Sequence, residues 1–542
     1  MAAVNWFDIA PTYRGRGTAD FASPRATIEG AAAATYDDRG EATIRLDVET
    51  ITCAEPLPFG LLQLLHGASV RPGQPLGIGS PVFQNPCTEL TITTASGKFR
   101  TRPVSYGGSI TGDSQGTLVF APLKATYEEL PAASAEYWVI PVFNHAARLI
   151  GRRSGVDHHP LRVNPPAAIP AGLTGIDHDM ALINAVTKNR TIVFEYGGAL
   201  AFLEQLTDID ERVRQLQAGT APRLITAVLV GSLDGLAPTI DTFPSWTPLD
   251  IPTLLGVASG VRCAPAWIEL RDAAAKLVQR IHAGFGLPVY HEGRTVIDEF
   301  STALTGQFLT NSLKSPDLGQ YWLRVILKHL VNLGRLGGAT LEEHISALSQ
   351  VFELLVRHEN IGPEDLTTRL DPSLQATVTS KLTTAETKIR KLSSTDPAAV
   401  SALNRIADRT RNAALRERDL GQQIGLLTAK KGLPDFEIVN AHYKATPRPD
   451  GIPTLQRVIS TYRGTIVHEA FFDFTTRFDL NDVVIVEQHL YDLALRLVLR
   501  YLGYDGTYTS PATPLAGERT LDWVTPTTPA IALGYGRRSA HP

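Results

Sequence analysis

The sequence predicts a multidomain α+β chain: a β-rich N-terminal region, folded as an antiparallel sandwich or curled sheet, followed by an all-α helical bundle. Three observations lead there. The 542 residues exceed what a single hydrophobic core sustains. Up to about residue 300, short β-branched and aromatic runs alternate with Gly, Pro, Asn and Asp clusters. Beyond Phe300 the apolar residues recur every three or four positions, the helical period. The expected divisions are therefore 1–300, a β-rich region for sensing or regulation; 301–505, the helical domain; and 506–542, a tail rich in Pro, Thr and Gly with no fold of its own.

Within the first region the clearest hairpin runs from Ala26 to Thr50, around the turn Asp37-Asp38-Arg39-Gly40. Further strands are expected at Glu89–Thr94, Lys98–Tyr106, Thr117–Thr126, Tyr137–Phe143, Thr191–Tyr196, Leu224–Val230 and Ala266–Leu270. Helices are expected at Ala201–Leu216 and Arg271–Ala283. In the second region Leu341, Ile345, Leu348, Phe352 and Leu355 form one stripe, and Val483, Val486, Leu490, Leu493, Leu497 and Tyr501 form another. Asn481 or Asp482 can cap the last helix and Gly503 can end it. Between them a helix is expected from Ala398 to Lys430, broken near Arg418, and another from Thr454 to about Val467. The sum is a bundle of five or six helices.

Bulk properties exclude several classes. Hydrophobic residues make up 43% and charged residues 20%, the composition of an ordinary globular protein. Net charge is −4 and the pI about 6.4, so no chain-wide basic field announces a nucleic-acid binder. Cys53, Cys87 and Cys263 lie far apart, with no CxxC or paired Cys/His spacing. That argues against a disulfide framework or a zinc site and fits a reducing cytoplasm. No window reaches 18 uninterrupted apolar residues, and the N-terminus lacks the apolar core of a signal peptide. A cytoplasmic protein without a membrane partner is expected.

The segment Arg463-Gly-Thr-Ile-Val-His468 carries the chemistry of interest. Arg-x4-His is short, and roughly one chance match is expected in a chain like this. The sequence holds three: Arg153/His158, Arg324/His329 and Arg463/His468. Context separates them. The first lies in a Gly/Asp/Pro-rich connection, where a solvated loop is the simpler account. The second lies inside a strongly apolar helix, where Arg and His would sit on a polar flank. The third closes a helix and precedes the aromatic run Phe471-Phe472-Asp473-Phe474. Cleaving RNA without a metal or cofactor requires a base for the 2′-hydroxyl proton and an acid for the leaving 5′-oxygen. His serves either step, and an always-charged Arg stabilises the phosphoryl oxygens. A spacing of five sets the two side chains about 140° apart on an ideal helix. They converge more naturally at an unwinding helix end, or in a cleft between two copies of the chain.

The stretch TYRGTIVHE, late in a C-terminal bundle, resembles the Arg-polar-x3-His signature of the HEPN superfamily. The upstream stretch TLEEHISALSQVFELLVRHEN resembles a second helix of that domain. A large β-rich region ahead of such a domain is similar to the ApeA-like proteins of bacterial defence against phage. The match covers roughly residues 310–505 and, by general layout only, the first half. The resemblance implies a metal-independent, homodimeric endoribonuclease of an abortive-infection or toxin-like system. It would cut tRNA or other RNA when a phage-derived trigger reaches the N-terminal region. Arg463 and His468 take the catalytic roles, with Tyr462, Gly464 and Glu353 supporting them. The family usually carries a polar residue, often Asn, directly after the Arg, where this chain has Gly464. The alternative is therefore an inactive HEPN module for RNA binding or dimerisation in a defence complex.

Other motifs weigh less. Gly112-Asp-Ser114-Gln-Gly116 matches the nucleophile elbow GxSxG, but a strand rather than a helix is expected after it. Asp157-His158-His159 and Asp177-His178-Asp179 hold metal-ligand residue types without the acidic motifs at strand ends that would complete a centre. Gly77-Ile-Gly79-Ser80 lacks the third Gly of a dinucleotide site. Arg405, Arg409, Arg411, Arg416 and Arg418 crowd one stretch with Asp408, Glu417 and Asp419 interleaved, a pattern that fits a salt-bridged solvent face. RNA-backbone contact through Arg409 and Arg416 is the sharper expectation.

Overall fold

A computed structural model describes residues 12–146, 191–433 and 462–524 with interruptions, the longest at 54–68 and 71–86. The chain divides into two compact units, one formed by Met1–Gly338 with Leu499–Thr509, the other by Ala339–Val498 with Ser510–Pro542. The architecture is α+β, and among the described residues no helix is long and apolar enough to cross a membrane.

The first unit is built on one antiparallel sheet. In chain order its elements are β1 (Thr12–Ala22), β2 (Arg25–Tyr36), β3 (Ala42–Cys53), β4 (Ser69–Val70), β5 (Glu89–Thr93), β6 (Gly97–Thr101), β7 (Ser109–Gly112), β8 (Thr117–Ala121), β9 (Lys124–Glu129) and β10 (Tyr137–Phe143). There follow β11 (Thr191–Tyr196), β12 (Ala199–Gln205), α1 (Ile209–Gln217), β13 (Ile225–Ser232), α2 (Ile251–Ser259), β14 (Ala264–Pro265), β15 (Ile268–Arg271), β16 (Leu277–Ala283), α3 (Thr302–Lys314) and α4 (Tyr321–Leu333). The strands run β11-β12-β13-β10-β15-β16-β9-β6-β5-β1-β2-β3-β8-β7-β4, with β14 on β10.

Alternation explains the long strands. In β3, Ala42, Ile44 and Leu46 point inward while their neighbours are exposed. The expected hairpin is present and longer than expected, pairing Ala26 with Cys53 through to Tyr36 with Ala42. Its register slips at Glu29/Gly30. A Cβ on Gly30 would lie 1.7 Å from the Asp47 carbonyl oxygen, so only glycine lets the backbones approach there.

Three elements depart from expectation. Ala201–Leu216 is not one helix: Ala201, Leu203 and Gln205 alternate inward on β12, and helix α1 begins only at Ile209. Arg271–Ala283 is not helical either. Asp272 accepts from the Ala274 and Lys276 amides, closing a turn that sends β16 back along β15. Thr117–Thr126 is two strands, β8 between β3 and β7, and β9 between β6 and β16. Of the strand expected at Lys98–Tyr106, Gly97–Thr101 is described, and 102–108 lie outside the described residues.

The sheet curls. Three strands separate β1 from β16, yet the Tyr13 hydroxyl on β1 lies 2.9 Å from His282 Nε2 on β16. Tyr36 of β2 stacks on the same imidazole at 3.9 Å, and Tyr13 stacks on Tyr127 at 4.5 Å. A buried charge sits beside this aromatic interior. Glu269 is 1% exposed and accepts from Trp267, Arg271 and Arg280. Arg280 also donates to the Tyr13 hydroxyl at 3.0 Å, which leaves the Tyr13 proton for His282. Burial alone would raise the Glu269 carboxyl, but Arg280 and Arg271 outweigh it and hold it below the usual range. Burial pushes Tyr13 up to about 12.

The second unit is helical: α5 (Leu341–His358), β17 (Glu364–Asp365), α6 (Pro372–Arg390), α7 (Pro397–Arg411), β18 (Leu415–Arg416), α8 (Leu420–Lys430), a helical stretch at 462–467 and α9 (Leu480–Tyr501) as far as Val498. Thr340 and Glu343 form a capping box on α5, whose Ile345, Leu348, Phe352 and Leu355 are buried as the stripe requires. The helix expected from Ala398 to Lys430 stops at Arg411 and resumes after the Asp419 cap. Residues 454–461 lie outside the described residues. Helix α9 starts at Leu480, so Asn481 and Asp482 lie inside it rather than capping it. Gly503 does end it, at φ 71°, with the Tyr504 amide bonded back to the Leu499 carbonyl.

The tail is not without structure. Thr507–Thr509 and Leu521–Trp523 are strands β19 and β20, and Val524 is buried. The reason lies on α9, where Asp492 and Arg496 form an ion pair at 2.9 Å with 0% and 1% side-chain exposure. The Ser510 hydroxyl donates to Asp492, and Arg496 donates to the Val524 carbonyl, so buried charges recruit the tail.

Two outcomes follow from the first unit. Glu269→Gln removes the counter-charge of two partly buried guanidinium groups, 14% and 18% exposed, and is expected to cost about 2–4 kcal/mol in urea unfolding. Burial lowers the His145 imidazole to about 4, and burial with Arg280 holds His282 well below its ordinary value. The unfolded chain takes up these protons below about pH 6.5 and the folded chain does not, so stability falls as pH drops through that window. His145 alone contributes about 3 kcal/mol of the loss by pH 4. Urea midpoints measured from pH 7 downward should fall less steeply for His145→Leu than for the natural chain.

Candidate nucleic-acid site at Arg463

Arg463 stands on the helical stretch 462–467, and its Nε and Nη2 donate to Glu353 Oε1 on α5 at 2.7 and 2.6 Å. Both side chains are about two-fifths exposed, at 42% and 39%. An ion pair this exposed stabilises the fold by only about 0.2–1 kcal/mol, so its consequence is mainly orientation. Guanidinium carries five N–H donors, and those on Nη1 have no partner among the described residues. A phosphate oxygen arriving there would meet an oriented cation whose charge is partly balanced by the carboxylate.

The aromatic run fixes the chain beyond the motif. Tyr462 is buried and meets Phe472 edge-on at 5.4 Å. Phe472, also buried, donates its amide to Glu342 Oε1 at 3.2 Å. Arg463 beside Glu353 and Phe472 beside Glu342 set the segment antiparallel to α5. Phe471 on one side of Phe472 is 60% exposed, and Phe474 is 39% exposed.

Gly464 is half-buried, and a Cβ built on it meets nothing within 4 Å. Packing therefore does not require glycine at this position. The open space beside it leaves the backbone approachable, which is the one property glycine contributes here.

His468 lies outside the described residues, so the structure brings together Arg463, Glu353 and Tyr462 of the expected site but does not place the second catalytic group. Arg409 is exposed on α7, and only the backbone of Arg416 is described, in β18. Arg324 donates to Asp250 at 2.8 Å and so has a structural occupation on α4. Arg153, His158, His159, Asp157, Asp177, His178, Asp179, Ser114 and the Gly77–Ser80 stretch lie outside the described residues. The segment after Ser114 is strand β8, as expected. Among the described residues no group of three or more His, Cys, Asp or Glu could hold a metal ion.

Sequence reasoning missed the polar groups on α9. Glu487, 3% exposed, pairs with His344 Nδ1 of α5 at 3.1 Å. With Asp492 and Arg496 this puts three charged residues inside a helix whose apolar stripe had implied a polar outer face. The i,i+4 spacing of Asp492 and Arg496 was a signal that could have been used.

At this site Gly464→Ala is expected to raise stability by about 0.5–1 kcal/mol, since a helical position with free space gains from the better helix former. Thermal melts of the purified chain check this, and a loss instead would mean the glycine is structurally required. No family model matches the chain, and no similar curated protein or solved structure was found.

Proposed function

We propose that the second unit is a HEPN-like RNA-processing domain, in which Arg463 stabilises the phosphoryl oxygens and His468 moves the proton in metal-independent cleavage. The observation that carries this reading is Arg463 itself: an exposed guanidinium oriented by Glu353, with donors to spare, on a stretch anchored by Tyr462 and Phe472. The resemblance of TYRGTIVHE and of the α5 sequence to that superfamily supports the same assignment. In this reading two chains pair to complete the cleft, tRNA or another RNA is cut in the cytoplasm, and the first unit recognises a phage-derived trigger.

One observation favours a second reading. Glu353 already balances part of the Arg463 charge, and Gly464 supplies no side chain to orient a histidine. That combination suits an RNA-binding or dimerisation module without catalysis.

The experiment uses the full chain with bulk tRNA in the presence of EDTA. Cleavage that persists with EDTA and falls by about 10²-fold or more in Arg463→Ala and in His468→Ala is the expected result. Equal cleavage by all three proteins would sink the catalytic assignment. Retention of RNA with no products would favour the binding module.

A further inference from the structure

Helices α6 and α7 carry a concentration of positive charge that the sequence scatters. Between Pro372 and Arg411 stand seven cations and three acids, net +4, in a chain whose net charge is −4. The three-dimensional placement is tighter still. Arg390 pairs with Asp408 at 2.5 Å, and Arg411 reaches Glu386 at 3.9 Å. Residue numbers rise on α6 as they fall on α7, so these two ion pairs set the helices antiparallel and bring 386–391 beside 405–411. Six cations thus stand at one level of the helix pair, on more than one of its faces: Lys388 and Lys391 lie along the open side of α6 with Thr384 and Thr387, and Arg390, Arg405, Arg409 and Arg411 complete the set. Among the described residues of this stretch of the two helices the acids are Glu386 and Asp408, and Arg390 and Arg411 occupy both.

Lys388, Lys391, Arg405 and Arg409 remain. All four are exposed, and none forms an ion pair or side-chain hydrogen bond among the described residues. The surroundings leave them accessible, because α6 has no buried residue and α7 only Ala407. Concentrating like charge without internal partners costs free energy through mutual repulsion, and a polyanion relieves that cost by releasing its condensed counterions.

We propose that this end of the α6–α7 pair is the docking surface for the phosphate backbone of RNA, with Lys388, Lys391, Arg405 and Arg409 as its free cations. The choice of RNA rests on the functional reading of Arg463, which lies in the same unit. The surface reads no base, since ammonium and guanidinium groups on phosphates carry no sequence information. It supplies affinity and holds the strand, while the Arg463 site acts on it.

The test measures binding of 2′-O-methyl polyuridine to the full chain across a salt series. This probe cannot be cut by its own 2′-hydroxyl, so binding is read independently of catalysis. The quadruple variant Lys388→Ala, Lys391→Ala, Arg405→Ala, Arg409→Ala should keep the wild-type melting temperature, since exposed alanines suit a helix. Its slope of log K against log salt should shrink by about 3, at roughly 0.7 per phosphate contact, with about tenfold or greater loss of affinity at low salt. An unchanged slope, or a natural chain that does not bind the probe, overturns the proposal. Tighter binding to anionic lipid vesicles than to the probe also overturns it. Cleavage lost in Arg463→Ala while the quadruple variant binds normally would leave the catalytic reading standing and remove this surface. The opposite pattern would keep the surface and remove the catalytic reading.

Discussion

Helix α9 is buried on nearly all sides from His489 to Val498, and much of the second unit is a response to that burial. A charged group on such a helix cannot reach water, so each must find its counterpart inside the protein. Asp492 and Arg496 answer one another and draw in Ser510 and the Val524 carbonyl. Glu487 reaches across to His344 of α5. These contacts tie α9 to both α5 and the tail. Helix α5 in turn presents Glu342 and Glu353 to the segment that carries Arg463. The orientation of the candidate site therefore depends, through α5, on a helix that carries none of its residues.

The first unit meets a similar demand with different means. Its sheet closes far enough for β1 and β2 to touch β16, and the interior so formed contains Glu269, Arg280, Tyr13 and His282 rather than hydrocarbon alone. Every polar atom of Glu269 has a partner, and the neighbouring imidazole is kept neutral by burial and by Arg280. Such a network specifies one register of the curl, because a slip of one residue would send Tyr13 or Arg280 to the opposite face.

Much of this was legible in the sequence wherever one face of an element is wet. Strand β3 and helix α5 announced themselves by period, and the stripe on α9 from Val483 to Tyr501 is buried throughout. Legibility failed where both faces are covered or where a turn interrupts a helical spacing. In β16, Leu277 and Ile281 stand four apart and mimic a helix, but the turn held by Asp272 makes the segment a strand. The tail looked structureless because its partners, Asp492 and Arg496, sit on another element. At the candidate site, the sequence could name Arg463 and Glu353 through family resemblance, and the structure pairs them at 2.6–2.7 Å. No reading of spacing could have brought 386–391 level with 405–411, because that placement is set by ion pairs between two helices.

The central claim is chemical: an RNA 2′-hydroxyl attacks its own phosphate while Arg463 carries the developing charge. The most direct measurement compares cleavage of one RNA oligomer with the same oligomer bearing a single 2′-deoxyribose at the nucleotide 5′ to the cut. The account predicts products ending in a 2′,3′-cyclic phosphate and a 5′-hydroxyl, and no cut at the deoxy position. Undiminished cleavage at that position, or products with 5′-phosphate ends, would contradict it.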